Sequence, residues 1–331
     1  MTCDRDDTGA APGASQSAAA GGAVQKDALH RRILDVLESI KFAHTVFALP
    51  FALMAAVLAA GGIPDGRTLA LILLCMVGAR TAAMAFNRLA DHELDARNPR
   101  TAGRALPAGT LSRRFVWGMV VFGAGAFLLG AAQLNTVCLA CSPFVLAVLL
   151  AYSYSKRWTA ASHFLLGACL GMAPVGAHLA VRGGLAPMAA YAGRFGLPFE
   201  ALPILIGLAV TLWTAGFDII YSCQDYEVDV REPGLRSIPK SLGIAKALAL
   251  SSAAHALCAG LLIGIGVYAG LGLVYCAALG MALGLLVYQH LIVKPNDLSR
   301  VNVAFFTANG AVSIVLLAAV LIERVLLGSH P

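Results

Sequence analysis

The sequence predicts an all-α polytopic membrane protein, with nine transmembrane helices around a central cavity built as two four-helix pseudo-repeats. Three observations predict it. First, 59% of the 331 residues are hydrophobic and 13% are charged, with a mean hydropathy of +0.76. Second, several apolar runs exceed the roughly 18 residues that mark a spanning helix, and they are rich in Ala, Leu and Gly rather than alternating in polarity as barrel strands do. Third, Lys and Arg gather in alternate loops, as expected where basic residues stay on the cytoplasmic side.

The stretch 1–29 is Ala-, Gly- and Ser-rich and lacks the apolar core of a cleavable signal, so it reads as a disordered tail before a single membrane domain over 30–331. The segment His30 to Ile40 is amphipathic enough to lie along a membrane surface. Nine spans follow, at about 42–62, 68–90, 114–134, 136–155, 163–181, 201–223, 245–268, 270–291 and 301–326. Pro50, Pro143 and Pro174 fall inside spans, where proline tends to kink a helix. Of the 24 Lys and Arg residues, only Arg67, Arg182, Arg194 and Arg324 lie on the side opposite the N-terminus, and Arg80 lies within the second span. The N-terminus is therefore expected in the cytoplasm of a bacterial-type inner membrane. The net charge of +6 follows from this topology and is no sign of nucleic acid. No protein partner is evident. The eight cysteines, including Cys138-x-x-Cys141, read as small apolar fillers, since no second pair or histidine completes a metal or redox motif.

Against this apolar background, seven of the eighteen acidic residues fall in two short segments at cytoplasmic span ends. The first is Asn87-x-x-x-Asp91-x-x-x-Asp95, enclosing Glu93; the second is Asp218-x-x-Tyr221-x-x-x-Asp225-x-x-x-Asp229, enclosing Glu227. Charge beside hydrocarbon is costly and generally marks a polar cavity or a ligand. Spacing by four sets each group on one face if the helix simply continues. The two segments align as an internal repeat. Setting Asn87, Asp91 and Asp95 on Tyr221, Asp225 and Asp229 also sets Arg97 on Arg231 and Pro99 on Pro233. Two such half-sites would face each other around one chamber. Their oxygen ligands suit Mg²⁺, which takes one or two carboxylates plus substrate phosphates, and nearby bases suit phosphate oxygens. Candidates are Arg88, Arg97, Arg100 and Arg104, Lys156 and Arg157, and Arg231, Arg236 and Lys240.

The pair of motifs on nine spans resembles the UbiA superfamily of intramembrane aromatic prenyltransferases. Lys41–Pro50, Asn98–Pro107 and Tyr152–Arg157 resemble further segments of that family, and the likeness covers about 30–325. It is greatest with the 4-hydroxybenzoate polyprenyltransferase branch, which includes relatives acting on 1,4-dihydroxy-6-naphthoate in the futalosine route to menaquinone. The resemblance implies a Mg²⁺-dependent transferase of quinone biosynthesis whose partners are a polyprenyl diphosphate, a small aromatic acid and the bilayer. It carries Asn87, Asp91, Asp95, Asp218, Asp225 and Asp229 over as metal–diphosphate positions, with Asp91, Asp95, Asp225 and Asp229 catalytic. Tyr221, Arg88, Arg104, Lys156, Arg157 and Arg236 would touch the diphosphate. Relatives carry a Gly-x-Lys-Ser stretch where this chain has Arg236-Ser237, and Arg and Lys do not bind phosphate alike. Arg80, two turns before Asn87, and His44 in the first span are candidates to bind the acceptor's carboxylate. His92, His163, His178, His255 and His290 show no metal-ligand spacing and read as structural. A transporter is the rival reading, but transporters place their ionisable groups near the bilayer midplane. A CDP-alcohol phosphotransferase would need a compact Asp-Gly-x-x-Ala-Arg type motif, which is absent.

Overall fold

The computed structural model describes residues 45–186 and 200–328. The N-terminal tail, the segment His30 to Ile40 and His44 lie outside the described residues. Within them the chain is helical, with no strand beyond one isolated bridge between Lys294 and Asp297.

Eight helices are long and apolar enough to cross a membrane among the described residues. In chain order the helices are α1 (Thr45–Ala60), α2 (Gly66–Ala90), α3 (His92–Arg97), α4 (Arg113–Leu134), α5 (Thr136–Trp158) and α6 (Ser162–Arg182). Then come α7 (Leu202–Ser222), α8 (Tyr226–Arg231), α9 (Ile238–Leu242), α10 (Ile244–Ala269), α11 (Leu273–Ile292) and α12 (Asn309–Leu321). The predicted first span corresponds to α1, whose apolar stretch Phe47–Ala60 is short of a full crossing within the described residues. The last span, Val303–Leu326, is α12 flanked by two π-helical turns, Val303–Ala308 and Ile322–Leu326. Pro50, Pro143 and Pro174 lie inside α1, α5 and α6, which continue through them.

In a bilayer, helices gain little from hydrophobicity alone, so small residues that let backbones touch decide the packing. At the α2–α4 contact, a Cβ on Gly78 would lie 2.7 Å from the Phe127 amide nitrogen, and one on Gly123 would lie 2.7 Å from the Ala82 nitrogen. The α6–α7 contact is as close, since a Cβ on Gly207 would meet the Gly171 oxygen at 2.7 Å. α7 is the hub: 61% of its apolar stretch is buried, against 11% for α5. Phe47, Phe51, Trp213, Phe217, Leu262, Tyr275 and Leu316 form a core joining α1, α7, α10, α11 and α12. α5 stands off from its neighbours, and the space it leaves becomes a cavity.

The π turn at the C-terminal end clamps two other helices. α11 starts at Gly272 without a side-chain cap of its own. The buried Glu323 carboxylate supplies one, accepting from the Gly272 amide at 2.6 Å and the Tyr275 amide at 2.8 Å, while its neighbour Arg324 donates to the Ala269 carbonyl that ends α10. A carboxylate at a helix N-terminus and a guanidinium at a C-terminus each complement the helix dipole. Glu323→Ala strands two buried amide donors, and we expect it to cost about 2 kcal/mol or more. Thermal unfolding in detergent would show this as a lowered midpoint, with Glu323→Gln in between.

Candidate active site

Both acidic motifs sit where a span gives way to a short helix, and the break falls on the middle aspartate in each. Asp91 ends α2 and begins α3 with φ −98° and ψ 4°; Asp225 precedes α8 with φ −93° and ψ 4°. The expectation of an uninterrupted helix is thus corrected, although the spacing survives. The Asp91 amide donates to the Asn87 carbonyl at 2.9 Å and the Asp95 amide to the Asp91 carbonyl at 2.7 Å, so four-residue bonding carries across the break.

The five aspartates of the two motifs line one polar cavity of about 350 Å³, whereas Glu93 and Glu227 are not part of its wall. Burying carboxylates is tolerable only where cations or donors meet them, and each of the five aspartates has such a partner. Lys156 Nζ from α5 donates to Asp91 Oδ2 at 2.6 Å, and Asn87 Nδ2 reaches the same oxygen at 3.2 Å. Arg104 NH1 contacts both oxygens of Asp95 at 2.7 and 2.8 Å, with Arg88 on its other side at 3.7 Å. Arg100 grips Asp225 in a two-pronged pair, Nε at 2.8 Å and NH2 at 2.6 Å, while its NH1 donates to the Tyr221 hydroxyl at 3.1 Å. Ser237 Oγ donates to Asp229 at 2.7 Å. His163 Nδ1 lies 2.7 Å from Asp218 Oδ2. Burial opposes the Arg100 charge, but its hydrogen bonds to Asp225 and that carboxylate's charge outweigh it and hold the guanidinium above its ordinary range.

The loop after α3 therefore bridges the two motifs. Arg100 and Asn98 (3.4 Å) reach Asp225, Arg97 reaches Glu232 at 3.5 Å, and Arg104 returns to Asp95. Thr101 Oγ1 anchors the loop on the Asp95 carbonyl at 2.9 Å.

Three expectations change. Arg157 does not line the chamber: its guanidinium donates to the Ala90 carbonyl and lies 5.1 Å over the Tyr154 ring. Helical geometry turns it about 100° from Lys156. Arg236 lines the chamber but is committed to the end of α5, its amide donating to the Lys156 carbonyl at 2.7 Å and its NH1 to the Trp158 carbonyl at 2.9 Å. His163, read as merely structural, is the partner of Asp218. Sequence reasoning also missed the roles of Arg100, Asn98 and Ser237. Proximity to a motif had marked Arg100 as a base, but only the fold-back of its loop shows that it serves the other motif.

A second cavity, about 530 Å³ and almost wholly apolar, adjoins the first between α2, α4, α5, α6 and α7. Arg80, Met84, Asn87, Tyr152, Leu166 and Leu170 line both. Arg80 thus stands at the junction of charge and hydrocarbon.

The donor set can be tested for Mg²⁺. Among the described residues no three acids or histidines converge closely enough to cage an ion unaided. Mg²⁺ does not require this, since it takes one or two carboxylates and leaves the rest to water and phosphate. Asp91 Oδ1 is buried without a hydrogen-bond partner, an unsatisfied hard oxygen of the chemistry such an ion takes. The residues fit.

The sequence model of the UbiA prenyltransferase family matches residues 48–310. The chain belongs to that family. It is 31% identical over 279 residues to a 4-hydroxybenzoate octaprenyltransferase of Aliivibrio fischeri, covering 82% of this chain and 90% of that one. Its fold is similar to the apo structure of a UbiA homolog from Aeropyrum pernix K1, with TM-score 0.73, 37% identity, and coverage of 85% and 98% of the two chains. A UbiA homolog from Archaeoglobus fulgidus, solved with GPP and Mg²⁺ bound, shares the fold at TM-score 0.63 and 19% identity over 87% of this chain and 99% of that one. The protein is a multi-span membrane prenyltransferase. Lys156 and Arg157 separate two roles in this UbiA member: Lys156→Ala should lower kcat/KM for prenyl transfer by about a hundredfold, as loss of one preorganised charge does. Arg157→Ala, assayed in parallel with matched protein amounts, should leave most of the activity.

Proposed function

We propose that this protein transfers a polyprenyl group from a polyprenyl diphosphate to the ring of an aromatic acid, 4-hydroxybenzoate first among them, in quinone biosynthesis. The observation that carries the reading is that the five-aspartate chamber and the apolar cavity adjoin, sharing lining residues with Arg80 among them. A diphosphate ester of a hydrocarbon chain is the ligand whose two ends match those two spaces. The names of the curated relatives support the acceptor.

In this reading Asn87, Asp91 and Asp95 from one half and Asp218, Asp225 and Asp229 from the other would hold Mg²⁺. When bound, Mg²⁺ supplies charge neutralisation to the leaving diphosphate. The chain's own polar groups add to that neutralisation, with Lys156, Arg88 and Arg104 around motif one, Arg100 and Tyr221 on motif two, and Arg236 at the rim. The apolar cavity takes the hydrocarbon tail and keeps water from the allylic centre. Arg80 suits the acceptor's carboxylate, since a guanidinium binds it bidentately, and its position sets the acceptor ring beside the place where the tail begins. We place the motifs on the cytoplasmic face of a bacterial inner membrane, as the loop charges support.

The test is an assay of purified protein with Mg²⁺ and one polyprenyl diphosphate, offering 4-hydroxybenzoate and 1,4-dihydroxy-6-naphthoate separately and identifying products by mass. Prenylated 4-hydroxybenzoate is expected, lost with Asp91→Ala and with Asp225→Ala. Full activity in either variant would sink the assignment of the chamber. Arg80→Ala should raise the acceptor KM about tenfold or more, the worth of a hydrogen bond to a charged group, and leave the diphosphate KM unchanged.

A further inference from the structure

The stretch before α12 reads Val303-Ala-Phe-Phe-Thr-Ala308 and is followed by Asn309, an amide inside a span of mean hydropathy 2.2. A buried amide costs free energy unless it is bonded, and this one is. Asn309 Nδ2 donates to the Ala304 carbonyl at 3.0 Å and the Phe305 carbonyl at 2.9 Å, and its Oδ1 accepts from Gln289 Nε2 of α11 at 2.9 Å. Both amides are 0% exposed. The bonds fix the π-helical turn Val303–Ala308, whose widened winding leaves carbonyls in need of outside donors. Such turns recur at functional sites.

The turn sets the Phe305 ring on the wall of the acid chamber. Its centroid lies 4.2 Å from that of Tyr221 with 36° between the planes, and it meets Phe217 and Phe47 edge-on at 5.2 and 5.5 Å. The same Tyr221 hydroxyl accepts from Arg100, which holds Asp225. An aromatic wall therefore stands within one residue of the diphosphate-binding charges.

We infer that the Phe305 ring contacts the allylic carbon of the prenyl group during transfer and shields its cation from water, and that Asn309 and Gln289 are positioning residues for that ring. The inference rests on the proposed function. In the step, the allylic C–O bond breaks and both electrons leave with the diphosphate. The cation then either bonds to a carbon of the acceptor ring, whose proton passes to solvent, or takes up water to give a prenyl alcohol and a proton. An aromatic face stabilises the cation and occupies the space water would use.

The experiment measures how product divides between prenylated acid and prenyl alcohol. Phe305→Leu, which keeps an apolar side chain but removes the π face, should lower kcat about fivefold to thirtyfold and raise the alcohol share, with the diphosphate KM unchanged. Phe305→Tyr should restore the wild-type division. The double variant Gln289→Leu with Asn309→Leu removes both amides together, and should shift the division in the direction of Phe305→Leu. Phe51→Leu, in the core away from the chamber, is the control for a merely structural effect. An unchanged division in Phe305→Leu, or an equal shift in Phe51→Leu, overturns the inference; if Phe305→Leu does not fold, Phe305→Met carries the same test. If the wild-type protein prenylates no aromatic acid, the proposed function itself falls, so the two failures are told apart.

Discussion

Asp91 is 3% exposed at the C-terminal end of the spanning helix α2, and much of the site is a response to that cost. A lone carboxylate there would take up a proton rather than stay charged. Lys156 answers it from α5, whose apolar stretch is only 11% buried. The need recurs at Asp95 and Asp225, both met from the loop after α3, at Asp229, met from the segment before α9, and at Asp218, met from α6. The charges thus recruit the loops, and the loops close the polar end of the cavity. Beside the apolar core that joins the helices, the Arg100–Asp225 pair ties the loop of the first motif to the second motif.

The two halves are alike in backbone and unlike in partners. Asp91 and Asp225, each the middle aspartate of its motif, break their helices at nearly the same φ and ψ. Yet Asp91 is met by a lysine from a span, with one oxygen left open, whereas Asp225 is engaged at both oxygens by Arg100. Bidentate guanidinium pairing is the more geometrically demanding bond. The first motif thus keeps a buried, unbonded carboxylate oxygen where the second has a carboxylate bonded at both oxygens, so the two motifs differ in what they can offer a ligand.

The fold was legible because membrane helices announce themselves by composition, and eight of the nine expected spans reappear at full crossing length with small shifts at their ends. The acids were legible too, since charge is rare in this chain and four-residue spacing is a local property. What failed was whatever depends on direction or on distant partners. Lys156 and Arg157 are adjacent and chemically similar, and only the rotation of α5 decides that one faces Asp91 and the other Ala90. His163 begins α6 whereas Asp218 lies near the end of α7, so no local pattern could join them. Asn309 reads as one polar residue in a span; its bonds to a π turn exist only once the helix has departed from regular winding.

Chemistry of the proposed kind needs opposite environments side by side: charge to draw off the diphosphate, and dryness to protect the cation left behind. A soluble domain would have to assemble the dry half from its own core. Here the bundle gets it from α5, which stays 11% buried along its apolar stretch and so leaves about 530 Å³ between itself and its neighbours. That looseness would destabilise a water-soluble protein, whose interior is held by close packing, whereas lipid outside α5 is as apolar as the cavity inside it and exerts little pressure to close it. The helix is held at both ends: at its polar end by Lys156 on Asp91 and by the carbonyls of Lys156 and Trp158 that bind Arg236, and at the other by Asn135, whose Nδ2 donates to the Leu179 carbonyl of α6 at 2.9 Å. The ion pair that makes Asp91 tolerable is therefore also one of the bonds that fix the wall of the hydrocarbon cavity, so the charged and dry halves of the site share an anchor.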